Sequence, residues 1–490
     1  MYLRYLTPIT RIQLFISAEP DYSCNKQLER KSMSENRHVS STENLAWSSH
    51  IGFLLACVGA AIGLGNIWKF PYMAGTQGGG AFVLIYLVTI FLIAIPVAAA
   101  ELITGRMARR NAVDSVIYLA RDTKSPSLYG IAGLIAVLAS FMLLTFYPVI
   151  SGWVMAYLGK SLMGGFSGFD ANQVAAEFNN LLANPAEMIF WQVSFLTLTG
   201  FVVARDIRSG LEKANLFLMP VLVLMLVMVV IYGAIEGDIG AAISFLFTPD
   251  FSSITPEVIL SAVGHGFFSV GVGAAMLITY GAYLDHNISI GEAAITIGIA
   301  DTVIALLAGI GIFAIVFGQS LEPAQGPGLI FVTLPLAFSD MAGGSFFASL
   351  FFLLVVFAAL TSNLALTEVI VRFVSDKLGT SRAKTTFGVL LASFIVGLTT
   401  IFSFNILSEF RLSDSGVFAD KTLFDAKDYV TSNILMPLGG LLIVAFAGWI
   451  VPAKTSLEHF GGTIWMHTIW LWLSRLIAPL GVIWVFISNL

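Results

Sequence analysis

Eleven stretches of about 20 mostly apolar residues, the length at which a helix crosses a bilayer, account for most of the chain between Ala46 and Leu490. So many long apolar segments leave no soluble surface, and the chain is predicted to fold as an all-α polytopic membrane protein. Composition agrees, with 57% hydrophobic and 11% charged residues against roughly 25% charged in a soluble domain. The 25 Lys and Arg against 30 Asp and Glu, net −5, give no basic face for nucleic acid, which is excluded as a partner. Cys24 and Cys57 are too few for a disulfide framework or a zinc site.

The expected spans are about 47 to 72, 80 to 105, 128 to 158, 187 to 204, 211 to 235, 257 to 284, 289 to 318, 345 to 376, 386 to 403, 429 to 451 and 464 to 488. Arg106, Arg109, Arg110, Arg121 and Lys124 follow span 2. Arg205, Arg208 and Lys213 follow span 4, and Arg372, Lys377, Arg382 and Lys384 lie around the span 8 to 9 joint. Loops 233 to 257 and 319 to 345 hold no Lys or Arg, so the positive-inside rule puts the N-terminus in the cytosol and the C-terminus outside a multi-pass inner (plasma) membrane. Residues 1 to 45 read as a polar cytosolic tail. Residues 1 to 32 are expected to be an upstream extension of a chain that starts at Met33. The membrane domain covers 46 to 490.

Spans 1 and 6 are unusual. GAAIGLGN places Gly59, Gly63 and Gly65 in the first, and GHGFFSVGVG places Gly264, Gly266, Gly271 and Gly273 in the sixth. Glycine costs a helix interior about 1 kcal/mol relative to alanine, and backbone leaves the helix at membrane depth only beside a ligand or a water-filled cavity. Interruptions five spans apart predict a 5+5 inverted repeat, about 46 to 235 and 257 to 451, with an extra helix at 464 to 488.

Asp301 lies inside span 7 with nothing basic in the same span. An ionised carboxylate there costs about 3 kcal/mol or more, so either a metal cation neutralises it or it stays protonated. Asn66, Ser269, Thr361 and Ser362, with carbonyls freed at the two breaks, are hard oxygen donors suited to a small alkali cation. Lone Ser and Thr usually bond their own i−4 carbonyl, so the constellation carries the argument rather than any one hydroxyl. Lys69 and Asp428 belong near the outer face and are expected to close a gate as a charge pair. Glu101 and Glu368 are expected to be satisfied by backbone groups near the breaks, and His265, without a second His at ligand spacing, to be a packing residue.

With GLGNIWKFP, QGGGAF, PVAAAELITGR, FFSVGVG and AALTSNLAL, the chain from about Trp47 through span 11 resembles the neurotransmitter:sodium symporter family, in particular its bacterial, leucine-transporter-like amino-acid carriers. The resemblance implies an amino-acid substrate and two sodium ions. It assigns the first ion to the Ala61 carbonyl, Asn66, Ser269, Asp301 and the substrate carboxylate, and the second to the carbonyls of Gly59, Ile62 and Ala358 with Thr361 and Ser362. The substrate carboxylate would meet the Leu64 and Gly65 amides and the Tyr147 hydroxyl. Its ammonium would meet carbonyls near Ala61, Phe268 and Gly271, with Phe268 and Tyr147 as the lid. Leu143, Ala274, Ser362 and Leu366 would complete the pocket, and the bundle of spans 1, 2, 6 and 7 would rock against the rest.

The departures also matter. Asp301 stands where the leucine transporter and chloride-dependent members have Asn, and Ala305 where many bacterial members carry a Glu. The expectation is therefore chloride-independent uptake. Ala274 replaces a bulky Phe, which favours a large hydrophobic or aromatic amino acid. Asn44 replaces the Arg that pairs with the acid at Asp376, so Arg37 is a candidate substitute, and the chain ends after span 11 without the twelfth helix of many members. An intramembrane enzyme is disfavoured because neither H-E-x-x-H nor a G-x-S-x-G serine motif is present. A channel is disfavoured by the lack of a repeated filter. A proton-coupled carrier of the same fold, with Asp301 titrating, is the main rival.

Overall fold

The computed structural model describes residues 47–488 apart from 286, 324–327 and 414. The readings on residues 1 to 46, including the tail, the start at Met33 and the roles of Asn44 and Arg37, lie outside the described residues. Among the described residues every regular element is helical. Nine helices there are long and apolar enough to cross a membrane, and a tenth crossing is a pair, His50–Ala61 and Gly65–Thr76, bent by 46°. That pair is span 1. The expected sixth span is also divided, into Pro256–Val270 and Met276–Gly281. Span 2 is Gly80–Ala108, span 3 Ser127–Leu162, span 4 Pro185–Val203, span 5 Arg208–Glu236 and span 7 Ile290–Gly318. Span 8 is Gly344–Leu378, span 9 Arg382–Phe402, span 10 Leu423–Ile450 and span 11 Ile464–Trp484.

Local chemistry fixes where these helices begin and end. Ser49 caps span 1 by accepting from the Gly52 amide at 2.9 Å. Buried Glu212 of span 5 accepts from the Ser48 amide at 2.9 Å and the Ser48 hydroxyl at 2.6 Å. A carboxylate at a helix N-terminus is favoured by the helix dipole. Thr255 and Pro256 start span 6, and Arg109 and Gly379 end spans 2 and 8 in left-handed turns.

The connecting segments hold more helix than their polarity predicts: Ala112–Asp122, Ala171–Ala183, Ile239–Phe247, Leu329–Asp340 and Ala453–Phe460. Ala171–Ala183 starts from a capping box of Asp170 and Gln173 and buries only Val174 and Leu181, so its amphipathic pattern is too short and polar to read as a span. At the centre, span 1 packs on spans 5, 7 and 8, while span 6 packs on span 2.

Candidate functional site

The breaks are built by residues that cannot continue a helix. After Val270 the chain passes through Gly271 at φ +72°, Gly273 at φ +81° and Ala275 at φ +59° before span 6 resumes. At Gly273 a Cβ would lie 1.9 Å from the Met436 carbonyl oxygen, so only glycine fits against span 10. The amide released there is taken by buried Glu101 of span 2, whose carboxylate accepts from Gly273 at 2.6 Å. The Ala274 carbonyl accepts from the Ser140 hydroxyl of span 3. In span 1, a Cβ on Gly63 would sit 2.3 Å from Ser362 Oγ and 2.6 Å from Tyr147 Oη. That glycine lets two hydroxyls approach the unwound backbone.

Two oxygen clusters flank the break in span 1. In the first, Asp301 is fully buried, with Oδ1 accepting from Asn66 Nδ2 at 2.7 Å. Its Oδ2 meets the hydroxyls of Ser269 at 2.8 Å and Tyr86 at 3.0 Å. Asn66 also donates to the Asp301 carbonyl at 3.0 Å and accepts from the Gly63 amide at 2.9 Å. Spans 1, 2, 6 and 7 thus converge on one carboxylate. In the second, Thr361 Oγ1 lies 2.9 Å from the Ala358 carbonyl and 3.4 Å from that of Ile62. Ser362 Oγ lies 3.1 Å from the Ile62 carbonyl and 3.4 Å from that of Gly59. All five residues assigned by resemblance to a second cation therefore meet at the joint of spans 1 and 8.

Between the clusters, Tyr147 Oη accepts from the Leu64 amide at 3.1 Å, and Gly65 packs against the Phe268 ring and the Ser269 backbone. Ala61 closes the first half of span 1, and Ala61, Leu143, Tyr147, Phe268, Ala274 and Leu366 are all buried. Lys69 Nζ stands 4.1 Å from the Phe268 ring centroid and reaches Asp428 at 2.8 Å and Ser432 at 3.1 Å. The charge pair and the Phe268 ring form one stack over the break. His265 packs among Phe70, Phe82 and Tyr86, as a packing residue would.

The opposite end is closed by more groups. The Trp47 indole donates to the Tyr280 carbonyl at 3.2 Å and its ring lies edge-on to Tyr280 at 5.2 Å. Here one expectation is corrected. Glu368 is held not by backbone but by both terminal nitrogens of Arg382, with Nη1 at 3.0 Å, and by the Tyr283 hydroxyl at 2.9 Å. A fully buried carboxylate needs a counter-charge, and the start of span 9 supplies it. Asp376 pairs with Arg372 at 3.1 Å and accepts from Asn111 at 3.0 Å.

Sequence reasoning missed Tyr86, Ser140, Ser432 and Arg382. A serine hydroxyl inside an apolar span gives no signal of its own, because its default partner is the i−4 carbonyl, and Tyr86 reads as one more aromatic of span 2. Arg382 was legible only as a loop charge for topology.

Comparison with known proteins fits this geometry. A family model described as the sodium:neurotransmitter symporter family matches residues 44–180 and 173–414. An uncharacterized sodium-dependent transporter of Bacillus subtilis, YhdH, is 37% identical over 92% of this chain and 98% of its own length. One from Haemophilus influenzae is 32% identical over 92% and 99%. A crystal structure of MhsT in complex with L-phenylalanine superposes with a TM-score of 0.84 at 36% identity, covering 91% of this chain and 99% of that one.

Proposed function

The chain belongs to the sodium:neurotransmitter symporter family, and on that premise we propose that this sodium-dependent carrier imports a large hydrophobic or aromatic amino acid without chloride, by alternating access. It is a transporter, not an enzyme. The proposed topology has eleven spans in two inverted repeats, 46 to 235 and 257 to 451, with the N-terminus in the cytosol. Two sodium ions are its expected co-substrates, one in each oxygen cluster.

The observation that carries the reading is the meeting of the Asp301 carboxylate with the Asn66 and Ser269 side chains beside the breaks in spans 1 and 6. A zwitterion needs an anion-binding and a cation-binding patch side by side. The Leu64 and Gly65 amides, with the Tyr147 hydroxyl that accepts from Leu64, suit a carboxylate, and carbonyls near Ala61, Phe268 and Gly271 suit an ammonium. A sodium ion beside Asp301 and Asn66 would also touch the substrate carboxylate, so each ligand raises the affinity for the other. Asn66, Ser269 and Tyr86 all donate to the Asp301 carboxylate, and its fixed negative charge disfavours a chloride ion beside it. The small buried Ala274 and the apolar Leu143 and Leu366 favour bulky side chains, as does the phenylalanine bound to MhsT. Pocket contacts of one methylene are worth about 1 to 3 kcal/mol, so preference rather than exclusivity is expected.

The test is uptake into proteoliposomes across a panel of amino acids, with sodium replaced by potassium or choline. Loss of uptake without sodium supports the reading. Uptake that persists there would transfer the assignment to proton coupling through Asp301.

A further inference from the structure

Span 3 carries an interruption of its own, directly before Tyr147. Its two main helical pieces are Gly130–Leu144 and Tyr147–Leu162, and Pro148 sits at the joint. Proline has no N–H, so the Leu144 carbonyl lacks the donor that a helix would supply four residues on. The Val149 amide turns to the Phe146 carbonyl at 3.0 Å, which frees the Thr145 carbonyl as well. Span 9 satisfies both. The Ser393 hydroxyl donates to the Leu144 carbonyl at 2.5 Å and the Thr400 hydroxyl to that of Thr145 at 2.9 Å, and all four residues are buried. Gly397 lies between the two donors, where a Cβ would sit 3.3 Å from the Thr145 carbonyl oxygen.

A cation completes the joint. Lys427, in the short helix Leu423–Tyr429 that opens span 10, donates to the hydroxyls of Thr399 at 2.7 Å and Thr400 at 2.8 Å and to the Val396 carbonyl at 3.1 Å. Among the described residues it forms no ion pair. The last turn of span 9 favours a cation through the helix dipole. An ammonium can only donate, so the Thr400 hydroxyl accepts from Lys427 and gives its own proton to Thr145. The same short helix packs Phe424 edge-on to Phe146 at 5.9 Å, and its next residue, Asp428, holds Lys69 at 2.8 Å. Adjacent residues of one helical turn thus grip the backbone before Tyr147 and supply half of the charge pair above the span 1 break.

We propose that Lys427, through Thr400 and the Thr145 carbonyl, is a positioning residue that couples closure of the Lys69–Asp428 pair to the grip of Tyr147 on the substrate carboxylate, a role that rests on the transport reading above. An amino acid held by Tyr147 then favours the closed pair, and the closed pair favours the amino acid, a reciprocal effect. The test is a set of double-mutant cycles on the full-length protein, read as equilibrium binding of labelled phenylalanine in saturating sodium. Asp428→Asn and Tyr147→Phe are each expected to weaken binding. Together they are expected to weaken it about five-fold less than the product of the two losses, because either change already breaks the link. In a Lys427→Met background the two losses are expected to multiply to within about two-fold. A lysine that merely supports the fold would weaken binding without touching that coupling. Losses that already multiply with Lys427 present, or coupling undiminished in Lys427→Met, overturn the proposal. Where Lys427→Met does not fold, Thr400→Val cuts the same chain at its next link under the same criteria. Unaltered protein that binds neither phenylalanine nor any other of the common amino acids in sodium overturns the transport reading and this role together, so the two failures are told apart.

Discussion

The two oxygen clusters on either side of the span 1 break are built from opposite materials. The cluster around Asp301 holds a formal charge and draws together spans 1, 2, 6 and 7. The cluster around Thr361 and Ser362 holds only neutral oxygens and joins span 1 to span 8. A charged site offsets a cation's desolvation by itself, whereas a neutral site depends on several dipoles placed at once. The first should therefore fail abruptly when its single charge is removed, and the second should weaken by degrees.

The sharpest break is Asp301→Ala, expected to lower sodium-dependent amino-acid binding by at least about 100-fold in a folded protein, as removal of one partner from a buried charged site does. Thermal shift with and without sodium measures it. Asp301→Asn refines the same point, with uptake expected to become dependent on added chloride because the fixed negative charge has gone. Ser362→Ala is expected to weaken apparent sodium affinity about ten-fold, a single hydrogen-bond-sized loss, read from a sodium titration of uptake. A loss as complete as that of Asp301→Ala would show that the clusters do not differ in the way described. Tyr86→Phe, which removes one donor from Asp301 but keeps its charge, is expected to cost about three- to ten-fold in sodium affinity. Replacing chloride by gluconate is expected to change uptake by the unaltered protein not at all, and collapse of uptake would show that Asp301 does not supply the needed charge.

The membrane crossings were legible because a bilayer demands about 20 apolar residues wherever a helix spans it. The expected 80 to 105, 187 to 204 and 289 to 318 became Gly80–Ala108, Pro185–Val203 and Ile290–Gly318. The breaks were legible because glycine clusters are costly in a helix, and Asp301 because an acid in a span is costly too. What escaped was whatever depended on neighbours brought close only by folding. Tyr86 looks like any aromatic of span 2 until its hydroxyl meets Asp301, and Glu368 looks like a second acid near a break until Arg382 arrives from the next helix. The helices in the connecting segments escaped because they lie outside the length and polarity that a bilayer imposes.

Trp47 precedes the first half of span 1, and Tyr280 lies in the last turn of span 6. Their single hydrogen bond fastens those ends of the two interrupted helices, the cytosolic ones in the proposed topology, to each other. In the proposed alternating access that mouth therefore has two ways to widen. Either both helices swing away as a linked pair, with the indole as the rivet, or the rivet shears first and the legs splay one at a time.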